Sequence, residues 1–195
     1  LGKAKEISAD ATADFKEDEV QFLPLVGAPS NIYCAGINYL DHIQETGRDT
    51  PEFPTLFLKT QQSMVGHRQN LVCPKVSHQF DFEGEFAVVI GKPGHYIDRD
   101  NWREYVAGYT ILMDGSIRDF QKRSVDQGKN FFRSSSSGPW MVTLDEAPSD
   151  FSHMKLTTRL NGEMMQSSDV GQLCFDVADL ISYYSQIFYF QPGDI

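Results

Sequence analysis

The run Asp81-Phe82-Glu83-Gly84-Glu85-Phe86-Ala87-Val88-Val89-Ile90-Gly91 constrains this chain more than any other segment. It has the aromatic and β-branched character of a buried strand, yet it opens with three carboxylates. Side chains two apart on a strand share a face, so Glu83 and Glu85 project together and Ala87 and Val89 continue that face, while Phe82, Phe86, Val88 and Ile90 fill the other. Two neighbouring carboxylates withdrawn from water repel each other and call for a cation. A frayed, solvated strand end would relieve the same repulsion without one, and an isolated Glu-x-Glu leaves both readings open.

A second apolar run, Tyr109 to Met113, leads into Asp114-Gly115-Ser116-Ile117-Arg118-Asp119-Phe120-Gln121. The expectation is that the strand stops at Met113 and a helical turn begins, capped by Asp114. Spacings of four and three then stack Asp114, Arg118 and Gln121 on one face, bringing a carboxylate, a guanidinium and an amide together. The plain alternative is a capping Asp with a local Asp114–Arg118 pair. Carboxylates without a neighbouring Cys or His ligand suit a hard cation, Mg²⁺ first and Mn²⁺ or Ca²⁺ next. His42 and Glu45 lie three apart, on one face of a short helix if one forms over Tyr39 to Thr46. A carboxylate bonded to one ring nitrogen raises the basicity of the other, so the two can act as a base and its orienter; a surface His beside a Glu can equally be inert. Lys129, next to Gly128, reads as a lysine in a turn, suited to holding a carboxylate or enolate oxygen, and an ordinary surface lysine would look the same.

The rest of the chain alternates short apolar runs with Gly, Pro and Asp. Ile32–Gly36, Thr55–Leu58, Glu85–Ile90, Ala107–Met113, Trp140–Thr143 and Leu156–Leu160 are strand-like in length and composition. Short helices fit at Tyr39 to Thr46, near Asp100 to Tyr105 and near Val177 to Ser185. The fold class is mainly β with a few short helices (α+β). Asn161-Gly162 is a hairpin turn, Ser134–Ser137 reads as a loop, and Trp140 as a core residue. Residues 1–29 read as an N-terminal appendage and linker, and residues 30–195 as one domain. Gln191-Pro192-Gly193-Asp194-Ile195 looks like a turn feeding a strand that is cut off, so a truncated C-terminus is expected. With 195 residues and 41% hydrophobic content the chain can bury a core unaided. Its net charge of −10, with 17 scattered basic residues, argues against nucleic acid. Three cysteines without metal-site spacing suggest a reducing, cytoplasmic location. No run approaches the roughly 18 apolar residues of a membrane span.

Taken in order, Gly36-Ile37-Asn38-Tyr39 with Asp41-His42, Pro54 to Lys59, Asp81 to Glu85 with Val88-Val89-Ile90-Gly91, Val106 to Thr110, Asp114 to Gln121, Gly128-Lys129, Gly138-Pro139-Trp140 and Pro192-Gly193-Asp194 form a series. That series resembles the fumarylacetoacetate hydrolase family over nearly all of Asn31 to Ile195. The resemblance implies that the domain of residues 30–195 is catalytic, with a mixed β-roll of that family's C-terminal domain type, and a homodimer. It implies metal ligation by Glu83, Glu85 and Asp114, a catalytic His42 assisted by Glu45 on a mobile lid over Tyr39 to Pro54, and substrate contacts from Arg118, Gln121 and Lys129. Two departures stand out: the serine-rich loop after Phe132, and the absence of the threonine- and glycine-rich motif expected after Asp194. The activity expected is metal-dependent hydrolysis of a C–C bond in an acylpyruvate or β-diketo acid through an enolate. The same machinery suits isomerisation, tautomerisation, decarboxylation or hydration of a 2-oxo acid in aromatic catabolism. A non-catalytic, metal-stabilised binding domain is the reading from another class.

Overall fold

Five strands form one mixed sheet at the centre of the computed structural model, which describes every residue except 1–5, 7, 9, 10, 42, 44–46 and 48. In chain order the strands are β1 (Ile32–Gly36), β2 (Thr55–Lys59), β3 (Met64–Val65), β4 (Phe80–Ile90), β5 (Val106–Ile117), β6 (Ser135–Ser137), β7 (Val142–Thr143), β8 (Lys155–Leu160) and β9 (Glu163–Asp169). The central sheet runs β3-β6-β5-β4, with β7 also on β5. Its β3–β6 pair is parallel and its other pairs antiparallel. β1 and β2 make an antiparallel pair, and β8 and β9 a hairpin. Helices α1 (Arg118–Gln121), α2 (Val125–Lys129) and α3 (Val177–Tyr184) are short. The expected mainly β fold with a few short helices is the fold observed.

The long β4–β5 ladder dominates, running from Phe80 opposite Ile117 to Ile90 opposite Val106 with a register shift at its far end. Both strands extend beyond the expected bounds. Asp114 therefore caps no helix: it lies inside β5, directly opposite Glu83, and helical backbone begins at Arg118. The strand continues because pairing with β4 satisfies its backbone while Ser116 and Ile117 bury completely. Hence the stacking of Asp114 with Arg118 and Gln121 on one helix does not occur. Lys129 likewise sits at the end of α2, not in a turn.

Ser134–Ser137 is also not a loop. Ser135–Ser137 is β6, between β3 and β5, and Ser134 and Ser135 are fully buried. Small side chains allow close strand approach, and the Ser135 hydroxyl accepts from the Gly115 N–H at 2.9 Å. Trp140 is 59% exposed, with Phe22 edge-on against it, and is not a core residue. The Asn161-Gly162 turn forms as expected, both residues having positive φ, 53° and 88°.

Two apolar clusters hold the sheet. One gathers Ile90, Ile97, Val106, Tyr109, Val177, Ile181, Tyr184 and Phe190, docking α3 onto β4 and β5. The smaller joins Ile32, Met64, Ala87 and Leu112, with Cys34 and Ile195 against it. Ala87 and Leu112 share the sheet face of Glu83, Glu85 and Asp114, so the carboxylates stand at the rim of this second core. Residues 22–25 lie against the domain: Leu25 N–H donates to the Ser137 hydroxyl at 3.1 Å, and Phe22 meets His67 edge-on. At the other end the buried Asp194 carboxylate accepts from the Asn31 and Gln191 N–H groups, at 2.7 and 2.9 Å, and ties the two segments together.

Candidate metal and substrate site

Strand register builds the site. Glu83 and Asp114 are cross-strand partners, and Glu85 follows Glu83 on the same face. β5 then leads straight into α1, which carries Arg118 and Gln121, and α2 returns Lys129 to the same pocket. That return needs Gly128, because a Cβ there would stand 2.4–2.6 Å from Gln121 backbone and side-chain atoms.

The charges interlock. The Lys129 ammonium, 3% exposed, bridges Glu83 and Asp114, reaching Asp114 Oδ2 at 2.6 Å and Glu83 Oε2 more closely still. Lys59, 4% exposed, donates to Asp114 Oδ1 at 2.7 Å and to the Lys129 carbonyl. Arg118 donates from Nε to Asp81 at 2.8 Å, from Nη2 to Glu83 at 2.8 Å and from Nη1 to Gln121 Oε1 at 2.8 Å. The alternative of a local Asp114–Arg118 pair is thus replaced by cross-strand pairing. Burial alone would raise the Glu83 carboxyl, but the Lys129 ammonium, followed by Arg118, holds it below the usual range. Burial would likewise depress Lys129, and Asp114 and Glu83 raise it instead.

Glu85 is the exception. Among the described residues no hydrogen bond or ion pair reaches its carboxylate, and burial pushes it up to about 8, with Glu83 and Asp114 adding to the rise and Lys129 opposing it. Four carboxylates (Asp81, Glu83, Glu85, Asp114) therefore face three cationic side chains (Lys59, Arg118, Lys129), and Glu85 is the acid left without a cationic partner, its protonated form favoured. This donor set, all oxygen with one uncommitted carboxylate, fits a hard divalent cation. At the observed geometry the three proposed ligands share a pocket without forming a ligand sphere: among the described residues, no group of three or more His, Cys, Asp or Glu stands at metal-binding spacing. The Lys129 ammonium supplies the positive charge between two of them. Cys34 adjoins the pocket, where burial pushes its thiol up, Asp114 adds to the rise and Lys59 opposes it.

His42 and Glu45 lie outside the described residues, as do Gln44, Thr46 and Arg48 of the lid expected over Tyr39 to Pro54. The structure thus brings together Glu83, Glu85, Asp114, Arg118, Gln121 and Lys129. Sequence reasoning passed over Lys59 and Asp81 as site residues. A lysine closing the apolar strand Thr55–Lys59 was the available signal for the first, since a lysine that is buried at the end of such a run needs a partner.

Residues 31–195 match the family model described as Fumarylacetoacetate (FAA) hydrolase C-terminal. The chain belongs to the fumarylacetoacetate hydrolase family. It is 41% identical over 180 residues to Oxaloacetate tautomerase Fahd2a, mitochondrial, of Rattus norvegicus, covering 91% of this chain and 57% of that protein. Among solved structures it is similar to 2-hydroxyhepta-2,4-diene-1,7-dioate isomerase from Mycobacterium marinum, with TM-score 0.79 and 30% identity, covering 92% of this chain and 66% of that one. A third likeness is to fumarylpyruvate hydrolase from Pseudomonas aeruginosa in complex with Mn²⁺ and pyruvate, with TM-score 0.78 and 29% identity, covering 94% and 84%. Against its curated animal relatives this member of the family spans about three-fifths of their length, 57% of the rat protein and 63% of a human one.

Proposed function

We propose that this domain is a divalent-cation-dependent enzyme of 2-oxo acid enol chemistry, with keto–enol tautomerisation of a 2-oxo dicarboxylate such as oxaloacetate as its reaction. The observation that carries the reading is the cluster in which Glu83, Glu85 and Asp114 meet beside Lys129 and Arg118, with Glu85 left without a cationic partner. Glu83, Glu85 and Asp114 would hold the cation, Mg²⁺ or Mn²⁺ before Ca²⁺. When bound, the cation supplies Lewis acidity that favours the enolate of a chelating 2-oxo acid. Lys129 is placed to hold a developing oxyanion, and Lys59 fixes the orientation of Asp114. Arg118, backed by Gln121, presents a guanidinium to a substrate carboxylate. His42 with Glu45 is the proposed base that moves the proton. Identity of 41% to an oxaloacetate tautomerase supports tautomerisation over cleavage.

C–C hydrolysis of an acylpyruvate is the second reading, supported by the likeness to fumarylpyruvate hydrolase, whose complex with Mn²⁺ and pyruvate also supports the metal proposal. The two readings separate in one assay. The protein, supplied with Mg²⁺ or Mn²⁺, is offered enol-oxaloacetate and, separately, fumarylpyruvate and other acylpyruvates, and loss of the enol absorbance is followed. Acceleration of ketonisation above the metal-only rate, abolished by chelator, is the expected result. Cleavage of acylpyruvate without tautomerisation moves the assignment to hydrolysis, and turnover of neither supports the non-catalytic metal-stabilised domain.

The division into residues 1–29 and a catalytic unit from residue 30 remains part of this proposal, as does a homodimer. Ile111, Trp140 and Val142, all large and exposed, lie on and beside β5, and such neighbouring apolar side chains favour association. Sedimentation velocity reads this directly. For location we retain a reducing compartment, cytoplasmic or, as the names of the animal relatives have it, mitochondrial. No described helix is long and apolar enough to cross a membrane.

A further inference from the structure

We propose that the Tyr39 hydroxyl is a substrate-contacting donor that hydrogen-bonds an oxygen of the bound 2-oxo acid, an assignment that rests on the enol-chemistry reading of the carboxylate pocket. Its hydroxyl is buried, yet among the described residues it has no hydrogen-bond partner. A buried hydroxyl that has given up water without gaining a partner is disfavoured. Such a group persists where another species completes it. The charge of Glu85 acts on this phenol, which places the unpartnered oxygen near the one pocket carboxylate that also lacks a partner. A phenol donates at neutral pH, so its natural acceptor is an anionic or carbonyl oxygen.

The backbone holds Tyr39 in place with unusual care. The Asn38 side chain clamps Phe175 at both ends, donating to its carbonyl at 2.9 Å and accepting from its N–H at 2.9 Å. The Asn38 carbonyl accepts from Cys174 N–H at 2.7 Å, and Tyr39 forms a bridge with Leu173. Ile37, a β-branched residue, adopts a φ of 52° just before this clamp. Strain of that kind survives only when the surroundings over-determine it, and it clusters at ligand sites. Tyr109 also has an unpartnered hydroxyl, but it lies in the aromatic cluster of Phe86 and Phe151 and feels Arg103, not the pocket acids. The coincidence of orphaned donor, strained support and pocket acid occurs at Tyr39.

Tyr39→Phe removes the hydroxyl and keeps the ring. Three measurements test the role: thermal melting without ligand, Mn²⁺ titration, and calorimetric binding of oxalate to the Mn²⁺-loaded protein, oxalate being a stable mimic of a 2-oxo acid enolate. The ligand-free variant is expected to melt no lower than wild type, and Mn²⁺ affinity to be unchanged. Oxalate binding is expected to weaken about tenfold, the effect of losing a hydrogen bond to a charged acceptor. A lowered melting point reveals a structural partner for the hydroxyl and overturns the proposal. Mn²⁺ affinity falling by as much as oxalate affinity would assign the hydroxyl to the metal's own water, and equal oxalate binding in both proteins overturns it outright. Failure of the wild type to bind Mn²⁺ and oxalate refutes the enol-chemistry reading itself and takes the Tyr39 role with it.

Discussion

Lys129 shows at the scale of one residue how this pocket manages its charge. Its ammonium lies between two acids whose mutual repulsion would otherwise be unscreened, and Lys59 and Arg118 share the task. Replacing Lys129 with Met removes the shared partner, and breaking a buried pair is expected to destabilise the metal-free protein by about 3 kcal/mol. Added Mg²⁺ should restore part of that loss by neutralising the same acids. Urea unfolding with and without metal measures both effects, and an unperturbed Lys129→Met protein would show that the ammonium is not what neutralises them. A separate expectation concerns the proposed base. His42→Ala should lower turnover by roughly 10²-fold, the range for a positioned general base, with metal affinity nearly unchanged. Wild-type-like turnover in that variant, for whichever substrate proves best, would remove His42 from the mechanism while leaving the carboxylate site intact.

Elements matter here chiefly through how closely they approach. β5 can lie against the segment entering β6 only because Gly115 has no side chain: a Cβ there would stand 1.8 Å from the Ser134 carbonyl oxygen, a backbone atom that cannot swing aside. Gly115→Ala should therefore force the strands apart next to Asp114, lowering stability by about 1–3 kcal/mol, as overpacking does, and weakening metal binding with it. A variant matching wild type in chemical denaturation and in Mg²⁺ titration would contradict this. At the other end of the fold α3 is capped by Asp176, whose carboxylate accepts from the Asp179 N–H at 2.8 Å, while Asp179 returns the bond to the Asp176 N–H at 3.1 Å. Loss of this reciprocal cap in Asp176→Ala should cost about 1 kcal/mol, read as a lower melting temperature with unchanged metal affinity, since neither capping acid belongs to the carboxylate cluster. These elements were unevenly legible beforehand. The Asn161-Gly162 hairpin and α3 could be read from local signals, because a two-residue turn and a capped helix are decided by residues near in sequence. β6 could not, because its three serines carry no hydrophobic pattern and become a strand only through their neighbours β3 and β5.

For the whole molecule, metal and stability are expected to be linked. A cation that binds the folded chain and not the unfolded one raises stability by about 2.7 kcal/mol at a hundredfold excess over its dissociation constant. Chelator should accordingly lower the melting temperature and Mg²⁺ or Mn²⁺ restore it, with Glu85→Gln abolishing most of the difference. Equal metal stabilisation in that variant would remove Glu85 from the ligand set. The origin of such a site divides between sequence and fold. The sequence by itself determined that Glu83 and Glu85 share a strand face and that Arg118 and Gln121 share a helical one, since these follow from the periodicities of local backbone. It also carried, in the order of its motifs, the family to which the chain belongs. Local rules placed Asp114 at a helix cap, and there they failed. Only the tertiary structure decided that β5 runs on to Ile117, that Asp114 faces Glu83 across the ladder, and that Lys59 and Lys129, 70 residues apart, converge on the same carboxylate. Register and ion pairing between distant segments depend on which backbone groups and charges must be satisfied together once water is excluded, and no window of neighbouring residues contains that information.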